Sequence, residues 1–231
     1  MTDAGYPLAM STDEVARLRM QADLFRNDAH DMLSAIGVRP GWRCLDLCSG
    51  VGGITDLLAQ HAGPSGEVVG LEVDPAKIAV PQDWAAANGF ANVRFIEGNA
   101  FATGLPPASF DLVHARFALS IVPGGVGMLG QLIELVRPGG FVLLEEVEWS
   151  SVACHPPHPG WEHAASLIDQ AFSGIGSDLR LGRKLPTLLT AAGVEVTRLR
   201  PCNYALRAGE PMHHHIPLTL DAMRASVIEQ G

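Results

Sequence analysis

The stretch from residue 43 to residue 53 constrains the fold more than any other part of this chain. Its sequence is Arg-Cys-Leu-Asp-Leu-Cys-Ser-Gly-Val-Gly-Gly, in which a short apolar run holds one acid, Asp46, and leads into glycines. The pattern predicts a strand, a glycine turn and the start of a helix. Glycine permits positive φ and close approach of the backbone to a ligand, and the start of a helix offers free N–H groups. We therefore expect a small cofactor at the carboxyl end of this first strand.

Two kinds of cofactor site use such a turn, and residue 55 separates them. A dinucleotide site of the form G-x-G-x-x-G needs its third glycine at position 55, where this chain has Thr55. Asp46 is also no part of the dinucleotide pattern. An NAD(P)-dependent oxidoreductase is therefore a disfavoured alternative, and a tight turn that binds nothing stays open as well.

Predicted strands and helices alternate along the rest of the chain. The strands are predicted at about 43–48, Glu67–Glu72, Val93–Glu97, Phe110–His114, Phe141–Val147 and Val194–Leu199. The helices are predicted at about 53–61, from Asp74 onward, and at Val126–Val136, Trp161–Phe172 and Leu181–Ala192. This alternation predicts a three-layer α/β/α Rossmann-like sandwich with a mostly parallel sheet. Such sheets bind ligands beyond the carboxyl ends of their strands.

Polar side chains follow the second and third predicted strands. Glu72 comes about 20 residues after Gly50, where an acid can accept two hydrogen bonds from a ribose diol. Asp74 is the competing acid, but its place before Pro75 is typical of a helix cap. Asn99 follows the third strand, and its carbonyl oxygen can accept from an amino group. The alternative for Asn99 is an ordinary turn residue.

The order of these motifs resembles that of class I S-adenosylmethionine (SAM) dependent methyltransferases over roughly residues 40–147. The matching runs are Leu-Asp-Leu-Cys-Ser-Gly-Val-Gly-Gly, Val-Val-Gly-Leu-Glu-Val-Asp-Pro, Val-Arg-Phe-Ile-Glu-Gly-Asn-Ala, Phe-Asp-Leu-Val and Leu-Val-Arg-Pro-Gly-Gly. Within that class the chain is similar to the ubiquinone/menaquinone-biosynthesis-like group of small-molecule methyltransferases. One difference is Cys48, which stands where the family's first glycine is usual.

The resemblance implies a SAM-dependent methyltransferase that acts on a small organic acceptor, with SAM as its cofactor. A protein that keeps the SAM fold without transferring a methyl group is an alternative, because fold does not fix function. The residues expected to bind the cofactor are Asp46, Cys48, Gly50, Gly52, Glu72, Val73, Asn99, Ala100 and Arg116. Arg116 could pair with a carboxylate of the cofactor, and a surface arginine is the alternative.

The resemblance also implies a domain organisation. Residues 1–38 are expected to form an N-terminal helical cap, which a capping box of Ser11 and Glu14 would begin. Residues 39–231 would form the SAM-binding domain, with 149–180 as an insertion that builds the substrate pocket. The family's last strand, antiparallel to the others, has no evident counterpart before Gly231.

Methyl transfer from a sulfonium is a single displacement, so the protein mainly aligns the reactants. A base is needed only where the acceptor must lose a proton. His114, at the end of the fourth strand, could orient an acceptor or act as that base, and a buried structural histidine is the alternative. Glu145 and Glu146 point to opposite faces of the fifth strand, and the resemblance favours Glu146 as the one in the cleft.

Charge and composition limit the partners. The net charge of −9 disfavours a phosphate backbone, and His-Ala-Arg-Phe follows strand four in place of the Asn/Asp-Pro-Pro-Tyr/Phe run of many base-methylating enzymes. We expect a small-molecule acceptor, no nucleic acid and no membrane, and a homodimer stays open. The scattered cysteines and the polar start of the chain predict a cytoplasmic protein. The histidines of 155–163 and 213–215 lack regular ligand spacing, so no metal is expected.

Overall fold

The computed structural model describes residues 12–229, so the capping box predicted at Ser11 lies outside the described residues. The chain forms two compact units. One comprises residues 12–21, Leu119–Val126 and 146–229, and the other comprises Ala22–Ala118 and Gly127–Glu145. The domain boundaries expected from the sequence, at residues 38 and 149–180, stay a prediction.

The second unit contains a five-stranded sheet in which every pair of neighbours is parallel. Its strands are β1 (Arg43–Leu47), β2 (Glu67–Glu72), β3 (Val93–Glu97), β4 (Phe110–Arg116) and β5 (Val136–Glu145). Their order across the sheet is β3-β2-β1-β4-β5. This order confirms the predicted α/β class and places β1, with its glycine turn, in the middle of the sheet.

The connections between strands determine where the helices lie. The α-helices of the described residues are α1 (Thr12–Ile36), α2 (Thr55–Ala62), α3 (Pro75–Ala87), α4 (Ala118–Ile121), α5 (Leu129–Leu135), α6 (Pro159–Gly174), α7 (Leu185–Ala191) and α8 (His215–Glu229). The connections through α2 and α3 move toward one edge of the sheet, and the connection through α5 moves toward the other. Because such crossovers are right-handed, α2 and α3 lie on one face and α5 on the opposite face. The predicted three layers are thus present in this unit.

The main core of this unit lies between one face of the sheet and helices α1 and α2. Alternate strand positions point to that face, as the period of two requires: Cys44, Val68, Val93, Leu112 and Leu143. They pack against buried helix residues, namely Ala29, Leu33, Leu57, Leu58 and Ala62. Burial of each large apolar side chain stabilises the fold by about 1.5–3 kcal/mol. The same strand positions, continued toward the carboxyl ends, lead to the candidate site.

Gly70 has no side chain, and this leaves room for a neighbouring aromatic ring to lie across β2. It pairs with Phe95 of β3 in the parallel register. A Cβ atom on Gly70 would lie 2.4 Å from the nearest ring carbon of Phe95, which is far inside van der Waals contact. The glycine is therefore required here by packing.

The other unit has its own core, built around α6 and α8, which pack together. Its buried members are Ile168, Ala171, Phe172, Leu179 and Met223. A buried ion pair joins Arg17 Nε to Glu14 Oε2 at 2.7 Å, and Arg17 Nη1 lies 2.9 Å from His215 Nε2. Burial, together with the charge of Arg17, lowers the pKa of His215 to about 4. His215 is therefore neutral and accepts from the guanidinium.

The prediction of a strand at Val194–Leu199 is wrong, since the described chain has no strand there. Residues 194 and 196 are half-buried and their neighbours are exposed, so the alternation in the sequence reflects burial correctly. A strand also needs a partner for its backbone groups, and the sheet of the described residues ends at β5. The fifth strand also differs from its prediction, because it begins at Val136 and ends at Glu145.

Candidate functional site

The glycine turn leaves β1 through three residues in the left-handed region. Their φ angles are 55° at Cys48, 52° at Gly50 and 83° at Gly52. Gly52 also lies close to α3, where an added Cβ atom would be 2.9 Å from Pro81 Cβ. Cys48 is the exception in this turn, because a left-handed residue with a Cβ atom costs roughly 1–2 kcal/mol.

Glu72, at the end of β2, is tied to this turn. Its carboxylate accepts from the backbone N–H of Gly50 at 3.0 Å, and from those of Val73 at 2.9 Å and Asp74 at 3.2 Å. The side chain of Asp74 instead accepts from Ala76 N and caps α3, which confirms the helix-cap reading. The acid that the sequence singled out for a ribose is thus the one that contacts the turn.

The residues after β2 and β3 differ in their exposure. Val73 is 65% exposed beyond the end of β2, whereas Ala100 is buried. Asn99 forms a turn, in which its Oδ1 accepts from the backbone N–H of Phe101 at 2.9 Å. The turn role considered for Asn99 is therefore present, and its oxygen has a second lone pair for a ligand.

A chain of buried polar groups crosses β1, β4 and β5 just below the turn. His114 is paired in register with Asp46, and its Nδ1 lies 2.8 Å from Asp46 Oδ1. Its Nε2 lies 3.0 Å from Glu145 Oε1. The His114 side chain is only 1% exposed. We name Asp46, His114, Glu145 and Arg116 the buried polar chain.

Both ends of the buried polar chain are held by further donors. Thr55, the first residue of α2, donates its hydroxyl to Asp46 Oδ2 at 2.7 Å. Arg116 Nη2 donates to Glu145 Oε1 at 2.9 Å. Burial alone would raise the pKa of Glu145, but the hydrogen bond from His114 and the charge of Arg116 outweigh it and lower that pKa to about 2. Burial disfavours the imidazolium of His114, yet the hydrogen bonds and charges of Asp46 and Glu145 outweigh it and raise its pKa.

Arg116 lies among aromatic rings at the end of β4. Its guanidinium carbon is 5.7 Å from the ring centroid of Phe25, and Phe25 packs edge-to-face on Phe117 with centroids 5.3 Å apart. Arg116 Nε is buried and has no hydrogen-bond partner within residues 12–229. Phe117 has a φ of 56°, which is strained for a bulky residue. Such strain is concentrated at functional sites in proteins.

Glu146 lies in the other unit and serves a different element. Its carboxylate accepts from the backbone N–H groups of Leu119 and Ser120, each at 3.0 Å, and from the Ser120 hydroxyl. These donors belong to α4, so the side chain caps the start of that short helix. The catalytic roles expected for His114 and Glu146 stay predictions. The contacts described for His114 join β4 to β1 and β5, and those described for Glu146 cap α4.

Sequence reasoning missed Glu145 and Thr55 as parts of the site. Glu145 was recognised only as the opposite-facing neighbour of Glu146, because the register that sets it beside His114 depends on how β4 pairs with β5. Thr55 was noted only as the missing third glycine. A hydroxyl that begins the helix after the turn, nine residues from a buried acid, is a signal that could have paired it with Asp46.

A glycine turn on the central parallel strand, tied to an acid from the next strand, defines an α/β protein that binds a nucleoside cofactor. Comparisons with known proteins refine that class. The family model described as a methyltransferase domain matches residues 39–175. Demethylmenaquinone methyltransferase from Geobacillus kaustophilus is 34% identical over 116 residues, which are 50% of this chain and 50% of that protein.

One further relative and one solved structure are also similar to this chain. Demethylmenaquinone methyltransferase from Lactococcus lactis subsp. lactis is 30% identical over 147 residues, covering 64% of this chain and 55% of that protein. A crystal structure of a SAM-dependent methyltransferase from Aquifex aeolicus shares the fold, with a TM-score of 0.60 at 17% identity over 80% of this chain and 90% of that one. The chain belongs to the class I SAM-dependent methyltransferases, and the family prediction is confirmed. Members of this class take their methyl group from SAM.

The chain spans about half the length of the curated relatives that it matches first. Its own activity and acceptor are therefore matters for proposal. Among residues 12–229, no helix is both long enough and apolar enough to cross a membrane.

Proposed function

We propose that this protein is an enzyme that transfers a methyl group from SAM to a small organic acceptor. The observation that supports this most strongly is the tie between Glu72 and Gly50. It joins the acid that can accept from a ribose diol to the glycine turn that can approach the rest of a nucleoside cofactor. When bound, SAM would supply the methyl group from its sulfonium centre and would leave as the neutral thioether S-adenosylhomocysteine.

The residues proposed for the cofactor lie at the carboxyl ends of adjacent strands. Asp46, Cys48, Gly50 and Gly52 belong to β1 and its turn. Glu72 and Val73 follow β2, Asn99 and Ala100 follow β3, and Arg116 ends β4. Exposed Val73 offers an apolar surface for a base, and Asn99 offers a carbonyl oxygen. Arg116 offers a buried N–H for a carboxylate.

The acceptor is proposed to be a small, unsaturated or aromatic molecule. The relatives are named demethylmenaquinone methyltransferases, and a quinone-like ring is the acceptor that those names suggest. The net charge of −9 favours such a molecule over nucleic acid. A homodimer and a cytoplasmic location belong to the same proposal. The location is supported by the four cysteines, which form no disulfide among the described residues, as is usual in a reducing compartment.

The proposed reaction requires alignment more than acid–base chemistry. His114 has both ring nitrogens engaged with carboxylates, so it is poorly placed to take a proton from an acceptor. An acceptor that loses its proton readily would need no protein base.

Ligand binding and methyl transfer test the proposal separately. Calorimetric titration of the purified chain should show binding of SAM and of S-adenosylhomocysteine, with none for NAD. Incubation with methyl-labelled SAM and a panel of quinols, phenols and small amines should label at least one acceptor. Binding of NAD without SAM would refute the cofactor assignment. Binding of SAM with no labelled acceptor would favour a SAM-fold protein that does not transfer methyl groups.

A further inference from the structure

In the buried polar chain, a neutral His114 cannot form hydrogen bonds with both of its carboxylate neighbours. Both nitrogens of His114 face carboxylate oxygens, at 2.8 Å from Asp46 and 3.0 Å from Glu145. A neutral imidazole has one donor and one acceptor nitrogen, and an ionised carboxylate only accepts. One of these three groups must therefore carry an additional proton.

Geometry places that proton on His114. Asp46 receives the Thr55 hydroxyl on its second oxygen, at 2.7 Å, and Glu145 receives Arg116 at 2.9 Å. Donors of this kind favour the ionised form of each carboxylate. With His114 as an imidazolium, every contact becomes a donor–acceptor pair. Two positive and two negative groups then cancel in a region that excludes water.

The chain of contacts runs from the glycine turn to Arg116. Asp46 lies two residues before the turn. It also accepts a hydrogen bond from Thr55, the first residue of α2, just after the turn. At the other end, Glu145 accepts from Arg116, whose Nε has no hydrogen-bond partner in the part of the chain that the structure describes. Helices α1 and α2 contribute Phe25, over which Arg116 lies, and an ion pair between Arg26 and Asp56. Among residues 12–229, His114 is the one side chain shown to hydrogen-bond both Asp46 and Glu145.

We propose that His114 is a positioning residue whose imidazolium holds the glycine turn and Arg116 together in the cofactor-binding arrangement, and that cofactor affinity falls when this proton is lost. The inference rests on the proposed function in taking SAM as the ligand. Loss of the proton leaves a nitrogen lone pair facing a carboxylate oxygen. One hydrogen bond is then replaced by repulsion, and the two carboxylates are no longer fixed to each other.

The direction of the pH dependence follows from the raised pKa of His114, which its two carboxylates cause. The ordinary pKa of histidine is about 6.5, so the imidazolium persists above that pH. The stabilising contacts are complete below the ordinary histidine pKa and are lost as pH rises through the higher pKa of His114 in the folded protein. We expect tight binding of S-adenosylhomocysteine near neutral pH and about tenfold weaker binding once His114 is neutral, a usual size for coupling between sites.

Glu145→Gln is the discriminating variant. His114 and Arg116 both contact Oε1 of Glu145. An amide NH2 at that position can donate to a neutral His114 Nε2, so the contact with His114 forms without the additional proton, while the hydrogen bond from Arg116 is given up. The affinity of this variant should change little between about pH 7 and about pH 10. Any titration of the ligand itself is common to both proteins and cancels in the comparison. His61→Gln, at a half-buried histidine that contacts exposed His30, is the control and should keep the wild-type pH profile.

Two measurements decide the proposal. Ring ¹⁵N chemical shifts of His114 in the ligand-free protein report its charge directly, and an imidazolium signature at neutral pH is expected. A neutral tautomer there would overturn the assignment of the proton. Calorimetric titration with S-adenosylhomocysteine across the same pH range tests positioning, and equal pH profiles for the wild type and Glu145→Gln would overturn it. Failure to bind S-adenosylhomocysteine at any pH would instead refute the proposed function, while the ¹⁵N result would stand by itself.

Discussion

The carboxylate of Glu72 accepts from the backbone N–H of Gly50 at 3.0 Å, so the end of β2 and the turn after β1 are fixed to each other. Replacement of this acid should therefore weaken cofactor binding more than it disturbs the fold. We expect Glu72→Ala to weaken S-adenosylhomocysteine binding more than about tenfold, because hydrogen bonds to a charged group contribute about 1.5–3 kcal/mol each. Calorimetric titration measures the change.

Glu97 provides the matched control for Glu72. It ends the neighbouring strand β3, pairs with Glu72 in register and is exposed. Glu97→Ala should leave the affinity for S-adenosylhomocysteine unchanged. Unaltered affinity in Glu72→Ala, with native circular dichroism, would contradict the ribose assignment.

Cys48→Gly should stabilise the protein. Cys48 has a φ of 55°, and glycine removes a cost of roughly 1–2 kcal/mol in that conformation, offset in part by its greater freedom in the unfolded chain. We expect a net gain of about 0.5–1 kcal/mol in the free energy of unfolding, measured with urea. Ala108 has a φ of 51° away from the turn, so Ala108→Gly should give a similar gain. An effect of Cys48→Gly on cofactor affinity that Ala108→Gly lacks would identify a direct role for the Cys48 side chain.

Gly70→Ala should destabilise the sheet by several kcal/mol, because its Cβ atom would lie 2.4 Å from the Phe95 ring and overpacking of this kind costs about 1–3 kcal/mol or more. Gly130, within α5, has no atom within 4 Å of an added Cβ. Gly130→Ala should therefore be neutral or stabilising by about 0.5–1 kcal/mol, as is usual inside helices. Thermal unfolding of the two variants side by side tests the steric argument, and equal melting temperatures would disprove it.

Glu146 offers a test of the catalytic alternative. Its carboxylate caps α4 through Leu119 and Ser120, and loss of a cap costs about 1 kcal/mol. We expect Glu146→Ala to lower stability by about that amount, and Glu146→Gln, which retains an acceptor oxygen, to lower it less. Once a labelled acceptor is known, kcat should be nearly the same in Glu146→Gln and the wild type. A large loss of kcat without a loss of stability would restore Glu146 as a catalytic residue.

Acid should destabilise the protein partly through Glu145. Its contacts with His114 and Arg116 lower its pKa from 4.5 to about 2, in spite of burial. A carboxylate with a lowered pKa contributes stability that is complete above its unfolded value and is lost as pH falls toward the folded one. The melting temperature of the wild type should therefore fall more steeply than that of Glu145→Gln between pH 4.5 and about 2. Parallel curves would show that Glu145 contributes nothing to the acid transition.

The sequence allowed the central architecture to be predicted because local patterns carry it. Apolar runs marked β1 to β4, and Asp74 with Pro75 marked the start of α3 correctly. The strand predicted at Val194–Leu199 failed because alternation reports burial, whereas a strand also requires a partner with free backbone groups.

The sequence identified single residues of the site but not the contacts that they form between strands. Asp46, Glu72 and His114 could be identified because each lies within or at the end of a recognisable strand. Their mutual contacts depend on register, which no single strand encodes, and this hid the place of Glu145 beside His114. The left-handed conformation of Cys48 was foreseeable only as an unusual residue at a glycine position. The strain at Phe117 had no sequence signal at all.

The Phe95 ring fills the space that a side chain at Gly70 would occupy, and this constrains how the sequence can vary in evolution. The two residues share one space on the face of the sheet, so neither position is free to change alone. A chain that acquires a small residue at position 95 opens a cavity that a side chain at position 70 could fill. Correlated replacement at these two positions among homologous sequences is therefore expected, since residues in contact vary together.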